Sequence, residues 1–133
     1  MPYVLDASIA ANWYLDEQRD PRADVALALL ADDYALAPIQ WWFEIHNVIL
    51  VGERRKRVSE QHSAAFLGEL AGLAIELAEL PDKSSVLDLA RKHKLTFYDA
   101  AYLELARRES IPLATLDKAL AAAARAEGVA LIE

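Results

Sequence analysis

Four carboxylates stand in apolar company along this chain. Asp6 follows the run Tyr3-Val4-Leu5, and Glu44 lies inside the apolar stretch 39–51. Asp99 sits within Leu95-Thr96-Phe97-Tyr98-Asp99-Ala100-Ala101-Tyr102-Leu103, and Asp117 follows the run that starts at Ile111. Each aspartate can also be read as part of a helix cap. Asp6 or Ser8 stands before one helix, Thr96-x-x-Asp99 fits the capping-box spacing, and Asp117 precedes another helix. Glu44 has no such explanation. A carboxylate in an apolar helix is costly unless it is paired, protonated or metal-bound, and no lysine or arginine lies within one turn of it. Gathered in one place, four such groups repel one another unless divalent cations join them. An all-oxygen donor set selects hard ions such as Mg²⁺ or Mn²⁺ over zinc. Ions of that kind bind phosphate, activate water and steady both oxygens of an in-line displacement, so phosphodiester hydrolysis is the expected reaction. Ser8, Thr115 and Asn47 are the candidate supporting donors that orient the acids or a water.

The acids can meet only if strands and helices alternate, and the patterning predicts that they do. Strands are expected at 3–6, 34–37, 74–77, along the run from Ile111, and finally at 129–132. Between them come helices carrying Ile9, Ala10, Trp13 and Tyr14; then 23–30; then a long one from Ile39 that ends near Arg54. Others follow from Ser59 to Gly72, after a Ser84-Ser85 cap, over 98–108, and over 118–126, where Gly128 stops the chain's last helix. A polar loop spans 16–21. The helix from Ile39 is apolar nearly all round, with Trp41, Trp42, Phe43, Ile45, Val48, Ile49, Leu50 and Val51, and is expected to be buried. His46 reads as a surface or core histidine. This alternation specifies an α/β three-layer sandwich with a short, mainly parallel central sheet flanked by helices. In such sheets the carboxyl ends of strands at the switch point share one crevice.

Composition narrows the possibilities. A chain of 133 residues is expected to form one domain, 1–133, with a single core. It has no cysteine, hence no disulfide framework and no thiolate metal site. Met1-Pro2 leads straight into the first strand without a leader pattern, and the apolar stretch 39–51 is interrupted by Glu44, His46 and Asn47. A soluble, cytoplasmic protein with no membrane contact is the expectation. The formal net charge of -7 excludes a generic nucleic-acid coat, but not a nuclease whose bound ions offset its acids. Positive charge is clumped at Arg54-Arg55-Lys56-Arg57, at Arg91-Lys92 with Lys94, and at Arg107-Arg108. These clumps suit helix C-termini and are compatible with a rim that follows phosphates.

Four motifs in order carry a resemblance. Asp6-Ala7-Ser8, Glu44-Ile45-His46-Asn47-Val48, Tyr98-Asp99-Ala100-Ala101-Tyr102-Leu103 and Thr115-Leu116-Asp117 resemble, in sequence and separation, the successive motifs of the PIN-domain nucleases. The resemblance covers essentially the whole chain, and its size and layout are similar to the VapC-type toxins of bacterial toxin–antitoxin pairs. It implies a PIN-like nuclease domain and a Mg²⁺- or Mn²⁺-dependent endoribonuclease acting on RNA. Asp6, Glu44, Asp99 and Asp117 are then the metal-binding catalytic quartet, with Asp6 and Asp99 as direct ligands. Glu44 either binds directly or acts on water, and Asp117 either binds through water or holds a second ion. The resemblance also implies a homodimer and an antitoxin whose C-terminal segment lies along helices near the site. Trp13, Tyr14, Trp41, Trp42 and Phe43 are candidates for that groove, alongside core packing.

Other aspartate-centred α/β enzymes fit less well. A haloacid-dehalogenase-like phosphatase wants an aspartate where Ser8 stands, and a receiver domain wants an acidic pair after its first strand. A binding module with four merely capping acids leaves Glu44 unexplained. A housekeeping PIN-type nuclease that processes RNA is the alternative within the family.

Overall fold

Tyr3-Val4-Leu5 forms the strand about which the rest is arranged. In the computed structural model, which describes residues 1–15 and 17–133, this strand, β1 (Tyr3–Leu5), is wholly buried. Position 16, the start of the expected polar loop, lies outside the described residues. Parallel strands covered on both faces consist of apolar β-formers without alternation, and β1 has that composition. Its neighbours are β2 (Ala35–Ala37) and β4 (Leu113–Ala114), with β3 (Ile75–Leu77) beyond β2, in the order β3-β2-β1-β4. Every pairing is parallel: Val4 lies opposite Leu36 on one side and Leu113 on the other, and Ala35 lies opposite Ile75.

The helices are α1 (Ala7–Leu15), α2 (Pro21–Leu29), α3 (Gln40–Arg54), α4 (Glu60–Ala71), α5 (Lys83–His93), α6 (Phe97–Glu109) and α7 (Lys118–Ala126). α6 packs on β1 and β4 with α5 and α7 beside it, while α1 packs with α2 and α3. The result is the expected α/β sandwich. Three buried aromatic residues have their polar ends satisfied, whereas the indole N–H of the buried Trp41 meets no acceptor among the described residues. The Tyr3 hydroxyl donates to the Ala26 carbonyl at 2.6 Å, Trp13 Nε1 to the Ala23 carbonyl at 2.8 Å, and the Tyr14 hydroxyl shares a 2.7 Å bond with Ser63. Gly52 lets α3 approach α1, since a Cβ there would meet Val58 at 3.1 Å and the Tyr14 ring at 3.2 Å.

Local chemistry explains the boundaries. Pro21 opens α2 behind an Asp20 cap, and Gly128, at φ 73°, turns the chain after α7. The last turns of α3, α5 and α6 hold Arg54, then Arg91, Lys92 and His93, then Arg107 and Arg108. The basic clumps thus complement the carbonyl ends of their helices. Among the described residues no helix is long and apolar enough to cross a membrane.

Three expectations need correction. The cap of α5 is Asp82 rather than Ser84-Ser85: the Asp82 carboxylate accepts from the Ser85 amide at 3.0 Å and its hydroxyl at 2.8 Å. The stretch 129–132 does not form a full strand. It joins β4 through a single bridge, Leu113 to Leu131, held by 2.9 and 3.0 Å backbone bonds on either side. Most significantly, α3 is not buried all round. Trp41, Ile45, Ile49 and Gly52 face inward at helical spacing, whereas Trp42, Phe43 and Leu50 are 49%, 63% and 46% exposed.

Candidate active site

The β1–β4 junction is where the sheet order reverses. β2 and β3 extend from one edge of β1, and β4, the last strand, is added at the other. A crevice opens at such a switch point beyond the carboxyl ends of the strands, and Asp6 and Thr115-Leu116-Asp117 emerge there. The Asp6 amide donates to the Ala114 carbonyl at 3.0 Å, which carries the β1–β4 pairing one step past β1.

Asp6 is buried and held by two hydroxyls. Its Oδ2 accepts from Ser8 Oγ at 2.6 Å and from Thr115 Oγ1 at 2.7 Å. Each hydroxyl in turn accepts from a backbone amide of the β4–α7 turn. Leu116 N–H donates to Ser8 at 3.0 Å, and Asp117 N–H donates to Thr115 at 3.0 Å. With their lone pairs engaged by amides, both hydroxyls have a proton to give to Asp6, which favours its ionised form. Burial opposes this and dominates, and the charge of Asp117 adds to it, so the Asp6 carboxyl is held above its ordinary range.

The other three acids come from helices. Asp117 is exposed and caps α7, its Oδ2 accepting from the Leu120 amide at 2.8 Å. Asp99 stands half-buried in the first turn of α6, where its amide donates to the Thr96 hydroxyl at 3.1 Å. Glu44, half-buried on α3, accepts at Oε1 from the Tyr102 hydroxyl at 3.0 Å. Burial raises the Asp99 carboxyl, and the charges of Asp6 and Asp117 raise it further. Burial also raises Glu44; the phenol of Tyr102 draws it back, and the charges of Asp6 and Asp99 push it up again. Each acid is therefore within electrostatic reach of at least one of the others.

Among the described residues, no ion pair reaches any of the four. No three carboxylate or imidazole groups there close tightly enough around one point to enclose an ion as placed. The donor chemistry nonetheless fits a hard divalent cation: the groups are oxygen donors, crowded, anionic, partly desolvated and without a protein counter-charge.

Asn47 is exposed one turn from Glu44 and is absent from these hydrogen bonds among the described residues. His46 sits on the side of α3, its Nδ1 2.5 Å from the Trp42 carbonyl and its ring 4.4 Å from the Trp42 ring. Of the five groove candidates, Trp13, Tyr14 and Trp41 belong to the core, while Trp42 and Phe43 face outward. Tyr102 is the participant that sequence reasoning missed. Its signal is position: it lies three residues after Asp99 on the same helix, and so on the same side.

Residues 3–126 match the family described as PIN domain, and the chain belongs to the PIN-domain family. Within it the chain stands with the VapC proteins. It is 32% identical over 125 residues to Ribonuclease VapC3 of Pyrobaculum aerophilum, covering 91% of this chain and 93% of that protein. In three dimensions it is similar to the crystal structure of PAE2754 from Pyrobaculum aerophilum, with a TM-score of 0.75 over 99% of this chain and 90% of that one. At 22% identity that likeness is one of fold.

Proposed function

We propose that the chain is a divalent-metal-dependent endoribonuclease, one nuclease domain over 1–133, and the toxin of a toxin–antitoxin pair. The observation that carries this is the set of acids at the switch point: Asp6 clamped by Ser8 and Thr115, within electrostatic reach of Glu44, Asp99 and Asp117, with no ion pair to any of them among the described residues. The relationship to a VapC ribonuclease supports the same reading. Asp6 and Asp99 hold the ion, Mg²⁺ or Mn²⁺. Glu44 binds it or orients the attacking water, and Asp117, the most exposed of the four, acts through a water or at a second ion. A bound divalent ion supplies Lewis acidity at the phosphate and a water of lowered pKa. Ser8 and Thr115 fix which Asp6 oxygen is left for ligation, and Asn47 lies within a turn of Glu44 at the rim.

The partners proposed are an RNA substrate, a cognate antitoxin and a second copy of the chain, in the cytoplasm. Phe43 and Tyr98 are each 63% exposed and directly precede Glu44 and Asp99 in sequence. Phe43 also packs edge-on against the exposed Trp42, ring centroids 5.0 Å apart; an exposed aromatic pair beside Glu44 supports an antitoxin segment lying there.

The test is cleavage of total cellular RNA by purified protein with Mg²⁺ or Mn²⁺, with chelator, and by Asp99→Asn. Discrete cuts that need the metal and vanish in the variant are expected. A folded, partner-free protein that leaves RNA intact would overturn the reading.

A further inference from the structure

We propose that Tyr102 is a positioning residue that confines Glu44 to one coordinating oxygen and so makes the site discriminate small divalent ions from Ca²⁺. The inference rests on the divalent-metal reading above.

Tyr102 is wholly buried on α6, and its hydroxyl is 3.0 Å from Glu44 Oε1. A phenol packed in a core cannot swing aside, because rotating the ring would displace close-packed neighbours. A carboxylate oxygen only accepts, so the phenol O–H is the donor in this bond. The phenol therefore ties α6, which carries it, to α3, which carries Glu44.

The consequence falls on the oxygens of Glu44. Oε1 carries a hydrogen bond from a fixed donor, which lowers its basicity and fixes the plane of the carboxylate. Oε2 is then the oxygen that meets an ion, and chelation through both oxygens is disfavoured. Ca²⁺ takes about 6–8 oxygens in loose geometry and commonly uses a bidentate glutamate, whereas Mg²⁺ demands near-octahedral coordination with single oxygens. A glutamate limited to one oxygen favours the smaller ion.

The experiment is thermal melting of the whole protein titrated with Mn²⁺ and, separately, Ca²⁺, which needs no RNA. In the native chain Mn²⁺ is expected to raise Tm at much lower concentration than Ca²⁺. In Tyr102→Phe the ratio of the two half-effective concentrations is expected to narrow by about tenfold, since stabilisation by a ligand follows its concentration relative to Kd. In a Glu44→Gln background the same change is expected to leave the ratio alone. A structural role for the phenol would lower the metal-free Tm without moving the ratio. Glu44→Asp, which withdraws the carboxylate from the phenol without touching the core, serves as the second variant and is expected to narrow the ratio as well. An unchanged ratio in Tyr102→Phe or in Glu44→Asp would overturn the assignment. A native chain whose Tm ignores Mn²⁺ would instead bring down the metal reading itself, and this inference with it.

Discussion

Two groups of acids in this molecule are treated in opposite ways. Glu127, just past α7, is met by Lys92 Nζ at 2.8 Å, His93 Nε2 at 2.6 Å and Arg107 Nη1 at 3.3 Å. The hydrogen bonds from Lys92 and then His93 hold its carboxyl down at about 2. One carboxylate thereby ties α5 and α6 to the end of α7. At the switch point, Asp6, Glu44 and Asp99 have the reverse: burial first, and the charge of neighbouring acids, Asp117 among them, after it, holds them above the ordinary range. Where this fold uses a carboxylate for cohesion, it surrounds it with cations. Where it sets carboxylates against one another, the missing charge has to come from outside the chain.

The two groups consequently respond to pH with opposite sign. A depressed carboxyl such as Glu127 contributes stability above its ordinary range and loses it as pH falls towards 2. Raised carboxyls bind their protons more tightly in the folded than in the unfolded state. Stability from Asp6, Glu44 and Asp99 is therefore greatest below the ordinary carboxylate range and is lost as pH climbs from that range through their raised values in metal-free protein.

The sharpest way to break the comparison is to remove one acid of each kind. Asp6→Asn or Asp99→Asn is expected to lower RNA cleavage by about a thousandfold with the far-ultraviolet spectrum unchanged, a loss comparable to deleting one transition-state contact. Cleavage surviving in both variants would mean that the acids are structural. Glu127→Ala is expected to do the converse, costing about 2–3 kcal/mol in denaturant unfolding as its charge-assisted bonds go, while the folded fraction still cuts RNA. A smaller effect comes from pH. As pH rises above the ordinary carboxylate range the metal-free protein is expected to lose stability, because its raised carboxyls give up protons that the folded state holds. Saturating Mg²⁺ or Mn²⁺ at pH 7 restores it, and Asp6→Asn flattens the slope; a flat native profile would remove the electrostatic side of the argument. Smallest is Asp117. Its cap of α7 survives in Asp117→Asn, whereas Asp117→Ala costs about 1 kcal/mol, readable as a small drop in Tm.

Much of this was legible in the sequence because local chemistry and global fold agree. Asp6 and Asp117 end apolar runs and Thr96 caps the helix of Asp99, so strand ends and helix starts announced themselves. The order of four motifs pointed to the family that residues 3–126 match. Less legible was α3. Counting apolar residues placed its whole circumference inside, yet the inward set is Trp41, Ile45, Ile49 and Gly52. Trp42 and Phe43 are apolar without being core, and sequence alone does not separate a residue kept for a partner from one kept for packing. The last stretch, 129–132, has β-forming residues but meets β4 at one bridge, since strand formation depends on a partner long enough to pair with. Tyr102 stayed hidden because a tyrosine in an apolar helix reads as core, which it is; the hydroxyl's destination on another helix is a fact of tertiary structure.

The clamp on Asp6 joins positions 109 residues apart, and that span has a meaning for synthesis. Chains emerge from the ribosome N-terminus first and fold as they lengthen. Asp6 is made well before Thr115, Leu116 and Asp117, which follow β4 on the edge of β1 opposite β2. A nascent chain thus carries Asp6 and Glu44 long before it has the crevice that organises them. A ribonuclease assembled in this order stays blunt until β4 and the turn after it have been made and have joined β1.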